Sequence, residues 1–195
     1  MLIEFSVKNY KSIKKKATLN MLTYKPDKSL SDNIFVADDI EKTELLKSTV
    51  IYGANASGKS NLLSALKFMK DFILRSAERK PGSEIGAIPF KLDREGLESE
   101  TSFEITFIQN GTKYFYEFSV DDESIIYERL LHYPLKKPKL LFERFYDEKK
   151  AGLNFKFGSD ITKSVKTLIK FLRDDVLFLS LSAILKTPDL IDAYD

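Results

Sequence analysis

The residues best suited to chemistry in this chain lie in one octapeptide, residues 53–60, which reads Gly-Ala-Asn-Ala-Ser-Gly-Lys-Ser. It matches the pattern G-x-x-x-x-G-K-[ST], which is typical of loops that bind nucleoside triphosphates. In such loops glycines let the backbone approach the phosphates, the lysine contacts the β- and γ-phosphates, and the serine hydroxyl coordinates Mg²⁺. The pattern therefore predicts ATP and Mg²⁺ as ligands, with Lys59 on the phosphates and Ser60 on the metal.

The predicted nucleotide-binding residues around this loop form one continuous stretch. They are Gly53, Ala54, Asn55, Ala56, Ser57, Gly58, Lys59, Ser60 and Asn61. Ser60 is the single predicted metal ligand, and the pattern names no catalytic residue.

The flanking segments predict the elements that would position the loop. Residues 48–52 (Ser-Thr-Val-Ile-Tyr) are β-branched and aromatic, which predicts a buried strand. Residues 60–74 carry apolar side chains at helical spacing, at positions 62, 63, 66, 69, 72 and 73. Strand, loop and helix N-terminus form an anion cradle, because backbone N–H groups and the helix dipole meet there. A chance match of the octapeptide is the alternative, and both flanks argue against it.

Composition places the chain among soluble globular proteins. It has 195 residues, 43% of them hydrophobic and 31% charged, which fits one domain with a real core. The net charge of +2 argues neither for nor against nucleic acid. Cysteine is absent, which excludes disulfides and thiolate zinc sites. The sequence shows neither a signal peptide nor a membrane-spanning run, so a cytoplasmic location is expected.

Three successive parts are predicted, of class α/β. The first, about residues 1–76, holds the phosphate loop, with strands at 2–7 and 17–23 and mostly surface loop at 24–46. Residues 77–87 are a predicted flexible connection. The second part, about 88–157, alternates apolar and polar residues and predicts an antiparallel β region. The third, about 159–195, is predicted to be helical, starting with Ser159 as N-cap.

Within the β region, Asn110-Gly111 separates two alternating apolar runs and predicts a hairpin, because both residues tolerate positive φ. Further strands are expected at 125–133 and 139–146, with a short one near Phe155 and Phe157. The result would be an antiparallel meander.

The acidic pair that an ATPase needs after an apolar strand is not evident. Glu143 follows three apolar residues but is a single carboxylate; residues 147–148 (Asp-Glu) and 38–39 (Asp-Asp) lie in polar surroundings. A Leu-Ser-Gly-Gly-like signature is also missing from the sequence. Since the chain stops in an apolar region, the simplest interpretation is one lobe of a larger ATPase.

Residues 5–12, Phe-Ser-Val-Lys-Asn-Tyr-Lys-Ser, resemble the opening phrase φ-x-φ-x-N-F-[RK]-S of the RecF/SMC-like branch of ABC-type ATPases, with Tyr10 in place of Phe. Four later segments are similar to the N-terminal lobe of prokaryotic AAA-family ATPases of abortive-infection and anti-phage systems, relatives of the OLD-type, Septu and retron-associated ATPases. They are Phe-Lys-Leu-Asp at 90–93, Ser-Phe-Glu-Ile-Thr-Phe at 102–107, Tyr-Phe-Tyr-Glu-Phe at 114–118 and Leu-Phe-Glu-Arg at 141–144. The resemblance covers essentially the whole chain.

This resemblance implies a P-loop NTPase fold of ABC/RecF type, with a mixed sheet around the phosphate-loop helix and an antiparallel β arm. It places Lys11 near the nucleotide and the signature, acidic pair and switch histidine in a second part of the polypeptide. It also implies a homodimer or second ATPase lobe as partner, and an effector. The family's Mg²⁺-binding glutamine has no clear counterpart, since Gln109, the sole glutamine, lies beside the predicted hairpin turn.

A different class of function stays open at this point: a nucleotide-sensing DNA-binding or scaffold module without turnover. Lys8, Lys11 and residues 14–16 could contact DNA phosphates, although solvated lysines at strand ends are the favoured interpretation.

Overall fold

A computed structural model of the chain describes residues 1–24, 31–147 and 152–194. Its main feature is a seven-stranded sheet in the order β2-β1-β5-β6-β7-β8-β9, and a second sheet pairs β3 with β4. The strands are β1 (Leu2–Lys8), β2 (Ala17–Asn20), β3 (Ile34–Val36), β4 (Glu44–Leu46), β5 (Thr101–Gln109), β6 (Thr112–Val120), β7 (Ile125–Tyr133), β8 (Lys139–Asp147) and β9 (Gly152–Phe157). The helices are α1 (Lys59–Arg75), α2 (Arg94–Glu98), α3 (Lys163–Thr167), α4 (Phe178–Ile184) and α5 (Pro188–Tyr194).

Every strand pair of the described residues is antiparallel, so the predicted mixed sheet is wrong for this part of the chain. The predicted meander is confirmed, because β5 to β9 follow one another in chain order. Asn110 and Gly111 have φ values of 49° and 73°, as a tight hairpin of this type requires. Residues 24–46, expected as mostly loop, contribute β3 and β4; residues 25–30 of that stretch lie outside the described residues.

The register gives the sheet two different faces. Phe103 pairs with Phe118, and the next pair, Glu104 with Glu117, points to the opposite side. Helix α1 packs on the phenylalanine face: the ring of Phe68 stacks on Phe103 at a centroid distance of 5.3 Å. The predicted apolar stripe of this helix is only partly buried, since Leu63 is 55% exposed.

The C-terminal helices pack against the far half of the sheet. Phe178, at the start of α4, is fully buried and meets the ring of Phe142 edge-on at 4.9 Å. Helix α3 is shorter than the sequence suggested, and its N-cap is Thr162 rather than Ser159, whose hydroxyl donates to Asp160. Ser159 is too far before the first helical residue to cap it.

A buried polar cluster holds α4 in place. The Glu128 carboxylate accepts hydrogen bonds from the Tyr116 hydroxyl and from the backbone N–H groups of Phe178 and Leu179, at 2.8, 2.8 and 3.0 Å. Arg144, 3.9 Å from Glu128, donates to the carbonyl of Val176 at 2.8 Å. Burial and the adjacent carboxylate raise the pKa of Tyr116 well above its ordinary value, so its hydroxyl keeps its proton and donates.

Residues 48–52 do not form the predicted buried strand. Val50 is 70% and Tyr52 86% exposed, and no strand among the described residues pairs with this segment. β-Branched composition favours an extended chain, but a strand also needs a neighbouring backbone to bond with. None of the helices in the described residues combines the length and the hydropathy that a membrane-spanning helix requires.

Candidate phosphate-binding site

The loop before α1 adopts backbone torsions and close approaches that favour glycine. Gly58, the N-cap of α1, has φ 94°, a conformation that residues with a Cβ rarely adopt. At Gly53 an added Cβ would lie 2.8 Å from the Ser57 hydroxyl oxygen. Ala56 also has a positive φ, 61°, so the chain turns sharply twice within the loop. The octapeptide therefore folds into a compact turn directly before the helix.

The N-terminus of α1 favours an anion. The helix is 17 residues long, its first turn contains no acidic residue, and Gly58 offers no side-chain cap. The first N–H groups of a helix have no intrahelical acceptor, and the dipole adds partial positive charge at this end. Since residues 53–57 are exposed, an anion from solvent can reach these N–H groups.

The Lys59 ammonium lies within the loop. It donates to the carbonyls of Gly53 and Ala54, at 2.7 and 2.8 Å. These contacts hold a cation beside the start of the helix, where bound phosphate would compete for it. The neighbouring Ser60 is exposed in the first turn, so its hydroxyl is accessible to a hydrated metal ion.

The turn between β1 and β2 lies against the same end of α1. Lys11 Nζ donates to the Ser64 hydroxyl at 2.7 Å, and Asn61 Nδ2 donates to the Ser12 hydroxyl at 2.6 Å. Ser12 also approaches Gly58, because a Cβ there would lie 3.3 Å from its Oγ. The structure thus brings the predicted Lys11 to the second turn of α1, beside the loop. Sequence reasoning missed Ser12 and Ser64 as neighbours of the loop; the one signal for Ser12 was its place as the last residue of the opening phrase at 5–12.

A family model described as "AAA domain, putative AbiEii toxin, Type IV TA system" matches residues 48–181, which is more than half of the chain. The chain belongs to this family. The match contains the whole octapeptide, and it confirms the resemblance to AAA-family ATPases of abortive infection. It makes the chain a P-loop NTPase domain of α/β class. No curated protein matches the chain.

The acidic residues that stood nearest to a catalytic pattern have other partners in this AAA domain. Glu143 lies in register with Arg129 and Lys156, on the sheet face opposite α1. Burial alone would raise its pKa, but hydrogen bonds from Lys156 and the Tyr127 hydroxyl, at 3.0 and 2.8 Å, outweigh burial and lower the pKa. Glu143 therefore does not face the loop.

Of the other two acidic candidates, only the pair at 38–39 lies wholly within the described residues. Asp38, in the turn between β3 and β4, is bonded to Lys42 at 2.5 Å, and this bond lowers the pKa of Asp38. Asp147 ends β8, and Glu148 lies outside the described residues. Among the described residues no group of three or more His, Cys, Asp or Glu side chains could hold a metal ion. Among the described residues, the carboxylates that the sequence singled out thus offer no evident partner to the loop that is predicted to bind phosphate.

The lysines considered for DNA contact are partly neutralised. Lys14 pairs with Asp93 and Glu95 at 2.6 and 2.8 Å, and these hydrogen bonds raise its pKa. Lys16 pairs with Glu104 at 2.6 Å. These contacts fit the interpretation of Lys14 and Lys16 as charges at strand ends.

Proposed function

We propose that this AAA domain is the ATP-binding lobe of an ABC/RecF-type ATPase and binds Mg·ATP through residues 53–61 and Lys11. The observation that supports this most is the joint position of the Lys59 ammonium and the uncapped N-terminus of α1. On binding, the phosphates replace the loop carbonyls as partners of Lys59, and they accept from the first N–H groups of the helix. Lys11 adds a second cation, since its ammonium contacts Ser64 in the second turn of α1.

Mg²⁺ fits the donor set, because a hydroxyl together with phosphate oxygens and water is a typical ligand set for this ion. Ser60 would supply the protein ligand. The metal would offset phosphate charge, while the residues of this chain bind and orient the phosphates.

A second ATPase lobe, from another copy or another polypeptide segment, would complete the site. Two features support this proposal: the exposed apolar side chains of residues 48–52, and an open apolar groove of about 700 Å³ between α1 and the sheet. The groove is lined by Leu63, Leu66, Ile73, Ile105 and Phe107 among others. ATP would then control the joining of lobes and, through it, an effector of the defence system to which the family description points.

Lys59→Ala tests the assignment. The variant should weaken ATP binding about ten- to a hundredfold with the fold intact, because one charge-assisted contact of about 1.5–3 kcal/mol is lost. Titration calorimetry measures the affinity. Lys67→Ala, at an exposed position on the same helix, is the matched control and should bind as the parent does. Unchanged affinity in Lys59→Ala would overturn the site assignment.

A phosphate-release assay tests whether the catalytic carboxylate lies within this chain. The 195-residue chain should bind ATP and hydrolyse it at no more than a trace rate, because in-line attack needs a carboxylate to orient water. Robust turnover that disappears in Lys59→Ala would show that the catalytic acid is present. Glu148, outside the described residues, would be the first to replace, and Glu143 and Asp38 the next. The DNA-sensing alternative has less support, since Lys14 and Lys16 already contact carboxylates.

A further inference from the structure

Asn9, which follows β1 directly, connects parts of the chain that are far apart in sequence. It is 2% exposed and has a positive φ of 55°. Its Nδ2 donates to the carbonyls of Gly96 and Ser99 at 2.8 and 2.7 Å, and its Oδ1 accepts from Phe90 N–H at 3.1 Å. One carboxamide thus bonds both ends of residues 90–99.

We call residues 88–100 the bracing segment. Besides Asn9, two neighbours on the β1–β2 turn contact it: the Lys11 N–H donates to the carbonyl of Ile88 at 2.8 Å, and Lys14 pairs with Asp93. Asp93 in turn caps α2 by accepting from Gly96 N–H at 2.8 Å. The bracing segment is therefore fixed to one side of the turn through several polar contacts.

The other side of the same turn meets the phosphate loop. Lys11 reaches Ser64, and Ser12 accepts from Asn61 and approaches Gly58. Asn9 and Lys11 both have positive φ, so the turn has an unusual backbone that needs outside support. Asn9 provides this support, because its side chain ties the first residue of the turn to a packed segment.

We propose that Asn9 is a positioning residue for nucleotide binding: it braces the β1–β2 turn so that Lys11 and Ser12 stay at the start of α1. This rests on the proposed function. Asn9 is buried and acts on the ligand through these two side chains. An asparagine suits the role because its amide donates to two carbonyls and its oxygen accepts an N–H, a set that neither aspartate nor leucine offers.

A mutant cycle tests the proposal by calorimetry with Mg·ATP. Asn9→Ala in the parent chain should weaken binding about fivefold, the effect of about one hydrogen bond. In a chain that already carries Lys11→Ala and Ser12→Ala, the same substitution should change affinity by less than about twofold. A purely structural role would give the same loss in both backgrounds, and that result would overturn the proposal.

Thr101→Val keeps the test decisive if Asn9→Ala does not fold. It removes the hydroxyl that donates to the Asn9 carbonyl at 2.8 Å, and should give a smaller loss with the same dependence on Lys11 and Ser12. Thr106→Val, on the same strand, is the control and should leave affinity unchanged. Absence of Lys59-dependent binding in the parent would overturn the proposed function as well. Lys59-dependent binding combined with an Asn9 effect independent of Lys11 and Ser12 would overturn only the role of Asn9.

Discussion

Polar groups find their partners differently in two regions of the molecule. One is the far half of the sheet, β6–β9 with α4, and the other is the loop of residues 53–60. In the sheet, Glu128 and Arg144 are fully buried, and their partners are other parts of the protein. In the loop, residues 53–57 are exposed, and the hydrogen bonds of Lys59 with described residues all stay within the loop. Removing a partner of a buried polar group lowers the stability of the fold, because the group stays buried without a hydrogen bond. An exposed group can instead exchange its protein partner for a ligand. We therefore expect substitutions in the two regions to separate stability from binding.

The largest expected effect is that of Arg144→Met. It leaves the buried Glu128 carboxylate without its neighbouring cation and the Val176 carbonyl without its donor. We expect a loss of about 3–5 kcal/mol in the free energy of unfolding, measured by urea denaturation. Arg129→Met, the same change on the more exposed opposite face, should cost less than about 1 kcal/mol. Similar losses in both variants would show that burial does not distinguish the two arginines.

A smaller effect, on binding alone, is expected for Ser60→Ala. It removes the proposed metal ligand, so affinity for Mg·ATP should fall about three- to tenfold, and affinity for metal-free ATP much less. Calorimetry with and without Mg²⁺ gives both values, and the urea midpoint should stay near that of the parent. Equal losses with and without the metal would assign the hydroxyl to the helix start instead.

The smallest expected effect is the pH dependence caused by His132. Its Nε2 is buried without a hydrogen-bond partner among the described residues, and Asp160 is 3.8 Å away. Burial lowers the pKa of His132 below its ordinary value of 6.5, although Asp160 partly opposes this. Between 6.5 and the lowered pKa, the unfolded chain binds a proton that the folded chain does not, so stability falls as pH falls.

His132→Gln removes this titration. Its free energy of unfolding should depend less on pH than that of the parent between about pH 5 and 7. Urea denaturation at several pH values gives the two slopes. Identical slopes would mean that burial of His132 does not affect proton binding.

Patterns that depend on near neighbours were predictable from the sequence. Asn110-Gly111 specifies its turn through positive φ, and alternation in β5 and β6 follows from the two faces of a strand. The octapeptide was assigned for the same reason, because its glycines and the helix after it are adjacent in the chain. Its role in binding stays a prediction.

The failures concern elements whose state depends on a distant partner. Residues 48–52 have strand composition, yet a strand also needs another backbone beside it. The mixed sheet was carried over from the family resemblance, whereas the pairings in the described residues are antiparallel. Amino-acid composition does not determine which backbone segments pair.

The sequence by itself determined the loop motif, the helix after it, the β hairpin and the family. Only the tertiary structure decided that Lys11 and Ser12 meet α1 across 53 and 49 residues, and that Asn9 bonds to Gly96 across 87. It also decided that Glu143 faces away from the loop. The reason is physical: torsion preferences and periodicity act over a few residues, while hydrogen bonds between distant segments exist only after the chain has packed.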